Sequence, residues 1–230
     1  MEVVELIKAE NLTKRFGNIK ALDGVTVEIP EGANLILGPN GGGKSTLFKL
    51  VTGVYRPTSG RIRLMGKDPW KDAAVKAKIG VAYDPLSFPP LISGREWLGF
   101  IARSKGYGEE EVERVAKLFD LDFIDELTRG YSSGMLKKLA VAQAFIGDPA
   151  LVMIDEPLSN LDFGSMTRFI KLLKKEGEER NFLVISHIWE PFLPIVDRVY
   201  VIANGKIVLS GESRDVRDEV ERLFKLKVEV

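Results

Sequence analysis

Three short stretches of this sequence carry residue types and spacings that chemistry can use. The first is Gly38-Pro39-Asn40-Gly41-Gly42-Gly43-Lys44-Ser45-Thr46. Its glycines let backbone N–H groups turn inward around an anion, and the helix that follows aims its positive N-terminal end at the same point. The spacing from Gly38 to Gly43-Lys44-Ser45 fits the phosphate-binding loop pattern, in which the lysine reaches the β- and γ-phosphates and the serine hydroxyl binds Mg²⁺. Thr46 adds a phosphate contact. The second stretch is Asp155-Glu156, which closes the unbroken apolar run Ala150-Leu151-Val152-Met153-Ile154. The third is Ser186-His187, where the only histidine of the chain follows Phe182-Leu183-Val184-Ile185. Two carboxylates and an imidazole at the C-terminal ends of buried strands stand at the edge where open α/β sheets bind ligands.

The elements that must position these groups follow from periodicity. Leu35-Ile36-Leu37 before the glycine loop reads as a buried strand, and Leu47 to Leu50 behind it as a helix. Val3 to Lys8 and Leu22 to Ile29 show strand-like alternation, which predicts an N-terminal antiparallel sheet, with Arg61 to Met65 as a further short strand. Between the first two lies Phe16, beside the basic pair Lys14-Arg15. Such a ring stacks on a nucleotide base or simply belongs to the core. Ile79 to Tyr83 is another short strand, ending at Asp84-Pro85. Then the character changes. Leu86 to Ile92 is an apolar loop broken by prolines, Ser93 and Glu96 form a capping box, and helices are predicted through Ile101, over Glu109 to Phe119, and from Tyr131 to about Ile146. A helical subdomain is thus inserted at about residues 85–148 into a core of about 1–84 and 149–230, the whole reading as one nucleotide-binding domain. Asn204-Gly205 between two apolar runs marks a hairpin, and a charged amphipathic helix closes the chain.

Composition narrows the functions available. With 230 residues the chain is long enough for a sizeable core. Thirty-three Lys and Arg balance thirty-three Asp and Glu, so the net positive charge of a nucleic-acid binder is missing and no nucleic-acid partner is expected. Cysteine is absent, which removes disulfides, thiol catalysis and zinc–thiolate sites. No apolar stretch approaches the roughly 20 residues that span a bilayer. A cytoplasmic chain is expected.

Taken in order and spacing, these stretches resemble the ATP-binding cassette (ABC) family over nearly the whole chain. Gly38 to Thr46 resembles its Walker A motif and Leu151 to Asp155 its Walker B strand. Tyr131-Ser132-Ser133-Gly134-Met135 resembles the signature usually written Leu-Ser-Gly-Gly-Gln and departs from it at three of five positions. Asp84 stands where the family generally has the glutamine of its Q-loop, and a carboxylate there is able to ligate Mg²⁺. The resemblance implies an α/β fold: a P-loop NTPase core with a mainly parallel sheet, an N-terminal antiparallel β-subdomain and an inserted α-helical subdomain. It implies a head-to-tail homodimer or heterodimer of ATPase subunits when ATP is bound. In that dimer each phosphate loop faces the partner's Ser132, Ser133, Gly134 and Asp162. It further implies Phe16 stacked on adenine, Ser45 and Asp155 on Mg²⁺, Glu156 as the base that activates water, and His187 on the γ-phosphate or that water.

The function implied is the ATP-hydrolysing subunit of a transporter, peripheral on the cytoplasmic face of the membrane and acting on separate integral membrane permease subunits. A soluble ABC-type ATPase that remodels a protein or nucleic-acid partner is the alternative, which tandem cassettes or a long coiled-coil insertion would favour. A GTPase is not supported, because no Asn-Lys-x-Asp motif is present. The loop from Leu86 to Ile92, more apolar than a solvated loop, is either a docking site for the membrane partner or packs under the helical subdomain.

Overall fold

The structure, a computed structural model, describes residues 5–84 and 87–225. Val3 and Val4 of the first expected strand, Pro85, and Leu86 of the apolar loop lie outside the described residues. Two sheets form the frame. The smaller has the order β2-β1-β4 and is antiparallel, built from β1 (Glu5–Phe16), β2 (Ile19–Pro30) and β4 (Ser59–Leu64). The larger has the order β5-β6-β7-β3-β8-β9. Its strands β5 (Ile79–Ala82), β6 (Leu151–Asp155), β7 (Phe182–Ser186), β3 (Ala33–Leu37) and β8 (Arg198–Ala203) run parallel, and β9 (Lys206–Glu212) returns antiparallel through the Asn204-Gly205 turn. This is the mixed sheet and antiparallel β-subdomain expected from the sequence.

The apolar runs at β3, β6 and β7 need no alternation because both faces of the sheet are covered. Leu35 and Leu37, Val152 and Ile154, and Phe182 and Val184 point into a core shared with helices α3 (Gly94–Ser104), α4 (Glu109–Leu118), α5 (Ser133–Gln143), α6 (Phe163–Gly177) and α7 (Ser213–Lys225). Ile36, Met153, Leu183 and Ile185 point the other way, onto α1 (Lys44–Val51) and the smaller sheet. Each such side chain, fully buried, contributes roughly 1.5–3 kcal/mol of transfer free energy.

Helices α3 to α5 fall between β5 and β6 in the chain. Ser93 caps α3 as anticipated, its hydroxyl accepting from the Glu96 amide at 3.1 Å while the Glu96 carboxylate accepts from the Ser93 amide at 2.7 Å. Several elements differ from expectation: β1 runs on to Phe16 rather than stopping at Lys8, and β2 begins at Ile19 rather than Leu22. β4 stops at Leu64 because Met65 and Gly66 take positive φ and turn the chain. Helix α5 stops at Gln143, ahead of the left-handed Gly147. A short helix α2 (Ala73–Ala77), capped by Asp72, was not anticipated because five residues carry no period. The subdomain meets the sheet closely: a Cβ at Gly80 would lie 1.6 Å from the Ala144 carbonyl oxygen. The sole glutamine, Gln143, accepts from Trp97 Nε1 at 2.7 Å and donates to the Val81 carbonyl at 3.1 Å, joining α3 to β5.

Candidate nucleotide site

The parallel register brings the three sequence stretches to one sheet edge. Leu37 of β3 pairs with Ser186 of β7, and Asp155 of β6 with Ile185 of β7, so the residues that leave all three strands emerge side by side. From β3 the chain enters the glycine loop. A Cβ at Gly38 would lie 2.1 Å from the Ile202 carbonyl oxygen, and one at Gly43 2.7 Å from that of Ala21, so only glycine lets the loop pack on β8 and on the β1–β2 hairpin. Pro39 is half-buried, Asn40 and Gly41 form the exposed crest, and the Gly42 amide closes back on the Pro39 carbonyl at 3.0 Å. Ser45 and Thr46 sit half-buried in the first turn of α1.

Lys44 is buried, and its Nζ donates to the carbonyls of Gly38 at 2.7 Å and Pro39 at 3.1 Å. Burial lowers its pKa, opposed by the charges of Glu156 and Asp155. Asp155 is 1% exposed, and neither carboxylate oxygen has a hydrogen-bond partner among the described residues. Burial pushes its pKa up to about 6; the Ser45 hydroxyl, near enough to pull the other way, does not satisfy it, and the charges of Glu156 and Asp84 add to the rise. A buried carboxylate with two orphaned oxygens beside a hydroxyl suits a divalent cation. Mg²⁺ keeps waters and phosphate oxygens among its ligands, so few protein groups are needed.

Glu156 lies 3.9 Å from Lys44 Nζ through Oε1, and its Oε2 is 2.8 Å from His187 Nδ1. Its backbone is left-handed, with φ 49°, where the chain leaves the strand. Thus Lys44, Asp155, Glu156 and His187, read separately from the sequence, form one constellation.

Other expected residues are placed differently. Phe16 is 42% exposed at the end of β1, edge-on to Tyr55 with ring centroids 5.3 Å apart and with Lys14 Nζ 5.0 Å from its ring centre. The same hairpin packs on the glycine loop through Ala21 and Leu22. Ser132 caps α5 by accepting from the Met135 amide at 3.2 Å; it and Ser133 are exposed, with Gly134 behind them in the first turn. Tyr131 is buried and anchors the segment, its hydroxyl donating to the Phe123 carbonyl at 2.9 Å. Asp162 caps α6, accepting from the Ser165 amide at 2.9 Å and hydroxyl at 2.6 Å, bonds that hold its pKa below the usual range. Asp84, read as a carboxylate able to ligate Mg²⁺, holds Lys137 Nζ at 2.6 Å. Lys137 was missed. Leu136 is half-buried, while Lys137 beside it is 3% exposed. A lysine between Leu136 and Lys138 gives no sequence signal of burial.

Comparison with known proteins decides the family. Residues 22–159 match the family model described as ABC transporter. The chain is 31% identical to the probable branched-chain amino acid transport ATP-binding protein LivG of Archaeoglobus fulgidus, over 93% of this chain and 91% of that protein. The chain belongs to the ABC transporter family. As an ATP-binding subunit it is also 33% identical to the glucose import ATP-binding protein GlcV of Saccharolobus solfataricus, over 92% of this chain and 64% of that longer protein. A dimeric bacterial ABC transporter cassette superposes with TM-score 0.83 at 25% identity, covering 90% of this chain and 99% of that one. The ADP conformation of another cassette superposes with TM-score 0.77 at 26% identity, covering 93% and 94%. The cassette is thus an ATPase of this family, and among its described residues no helix is long and apolar enough to cross a membrane.

Proposed function

We propose that this cassette hydrolyses Mg²⁺-ATP between two head-to-tail copies of the fold and passes the resulting opening and closing to separate membrane-spanning subunits at the cytoplasmic face. The observation that carries the reading is the convergence of Lys44, Asp155, Glu156 and His187 within one sheet edge. Phosphoryl transfer to water asks mainly for positioning and charge neutralisation, and each group has a part in it. The glycine loop and Lys44 hold the β- and γ-phosphates. Ser45 and Asp155 would hold Mg²⁺, and the ion would supply neutralisation of the charge developing on the phosphates. Glu156 accepts a proton from the attacking water, with His187 hydrogen-bonded to its carboxylate and fixing its orientation. Phe16 covers the adenine face, with Tyr55 and Lys14 holding its ring in place.

The exposed serines and first-turn amides at the start of α5 supply the missing wall on the far side of the γ-phosphate when a second copy or a related subunit docks. A membrane partner fits the open, mostly apolar cleft of about 480 Å³ between β5 and α3, lined by Val81, Phe88, Trp97 and Ile101 among others. Transport relatives such as LivG and GlcV favour this over a soluble remodelling ATPase. Two variants test the reading. Lys44→Ala is expected to weaken ATP binding at least tenfold, because a buried phosphate loses its cation. Glu156→Gln is expected to bind ATP normally, stop turnover and elute as a dimer on size-exclusion chromatography with ATP. Parental turnover in Glu156→Gln would remove the general-base assignment.

A further inference from the structure

Lys137 belongs to helix α5, whose N-terminal turn faces outward, yet its ammonium group points back into the protomer that carries it. Its Nζ donates to Asp84 Oδ1 at 2.6 Å and to the main-chain carbonyl of Glu156 at 3.0 Å. The side chain is 4% exposed, so both bonds are made where water competes little. Glu156 needs such support. A non-glycine residue in the left-handed region carries a cost of about 1 kcal/mol or more and persists only when its surroundings hold it there. Here the Glu156 amide donates to the Ile185 carbonyl at 2.8 Å, and its carbonyl accepts from the Ser159 hydroxyl at 2.9 Å as well as from Lys137. Of these bonds the one to Ile185 stays within the sheet, on β7, and the one from Lys137 comes from the helical insertion. The first turn of α5 also packs on the turn that follows Glu156, with the Gly134 Cβ position 3.6 Å from the Asn160 carbonyl oxygen.

We propose that Lys137 is a positioning residue for hydrolysis: it clamps the backbone of Glu156 in the orientation that aims its carboxylate at the attacking water, and it ties that orientation to helix α5. Asp84 is the counter-charge that directs the buried ammonium toward the Glu156 carbonyl. The inference rests on the reading of Glu156 and of α5 given above. Because the start of α5 closes the ATP held by the second copy, a shift of α5 on engagement is delivered through Lys137 to the base of its own site. The two ATP sites of the dimer are thereby linked by one side chain.

The test separates positioning from a merely structural ion pair. In the full chain, Lys137→Met is expected to lower kcat at least about tenfold, since small misplacements of a reacting group cost up to a hundredfold. KM and ATP binding should stay within about threefold, because neither Asp84 nor Lys137 holds the phosphates. Lys137→Arg, which still donates to both partners, should retain most of kcat. The exchange Asp84→Lys with Lys137→Asp restores opposite charges but leaves no donor on α5 for the Glu156 carbonyl, so it should recover thermal stability without recovering kcat. Recovery of both by the exchange would reduce Lys137 to a structural ion pair and overturn the proposal. So would parental kcat in folded Lys137→Met. If Lys137→Met does not fold, the arginine variant and the exchange decide alone. Adding Lys137→Met or, failing that, the exchange to Glu156→Gln should leave the ATP-dependent dimer intact; its loss would assign Lys137 to dimer closure and also overturn the proposal. Failure of Glu156→Gln itself to dimerise would instead remove the reading beneath it.

Discussion

Asp155 shows how function and stability oppose one another at a single residue. Its carboxyl, at 3.8 in the unfolded chain, is pushed up to about 6 in the fold by burial. The folded state therefore binds the proton more tightly. Its contribution to stability is fully present below about pH 4, falls as pH rises toward 6, and is constant above that. For the metal-free protein this amounts to about 2–3 kcal/mol lost across that window. Asp155→Asn keeps the shape and cannot ionise. With chelator present, urea denaturation should find the variant more stable than the parent at pH 7.5, and the two converging near pH 4, while its ATPase activity is lost. Equal stability at pH 7.5 would show that the Asp155 ionisation is not strained.

At the scale of elements, β5 and α5 set how the helical insertion meets the sheet. Gly80 of β5 leaves no room for a Cβ against the Ala144 carbonyl, and neither side of the contact is a flexible side-chain end. Gly80→Ala should cost about 1–3 kcal/mol by overpacking and should also lower kcat, since α5 carries Lys137. A variant with parental melting temperature would show that the contact yields easily. The N-terminal end of α5 tests the opposite property, its availability. Ser132 is exposed, so Ser132→Arg should leave ATP binding to the monomer intact while abolishing the ATP-dependent dimer in the Glu156→Gln background. Dimerisation of the doubly substituted protein would remove the signature assignment.

For the whole molecule, the question is how events at the phosphates leave the chain. The loop after Asp84 splits the two readings open from sequence. Phe88 packs edge-on against Trp97, with centroids 5.5 Å apart, whereas Leu91 is 70% exposed. The loop is also tied down, its Pro89 carbonyl accepting from the Thr128 hydroxyl at 2.6 Å and its Ile92 carbonyl from the Thr128 amide at 2.9 Å. It is therefore a shaped wall of the apolar cleft. Leu91 and Phe100 are exposed. Phe88→Asp is expected to keep most ATPase activity of the isolated chain and to lose copurification with the membrane subunits. Unchanged copurification would place the docking surface elsewhere.

Much of this was legible in the chain order because the chemistry is local. A phosphate loop is a run of neighbouring residues whose backbone does the binding, and the apolar runs ending at Asp155 and Ser186 announce buried parallel strands without reference to any partner. The hairpin at Asn204-Gly205 and the cap at Ser93 are equally self-contained. What only the tertiary structure decided is long-range. The strand order sets Glu156 2.8 Å from His187, 31 residues on, and Lys137 2.6 Å from Asp84, 53 residues back. A buried lysine has no sequence mark of its own: its burial is tolerable only because a carboxylate and a carbonyl from other elements converge on it, and no local pattern encodes that convergence.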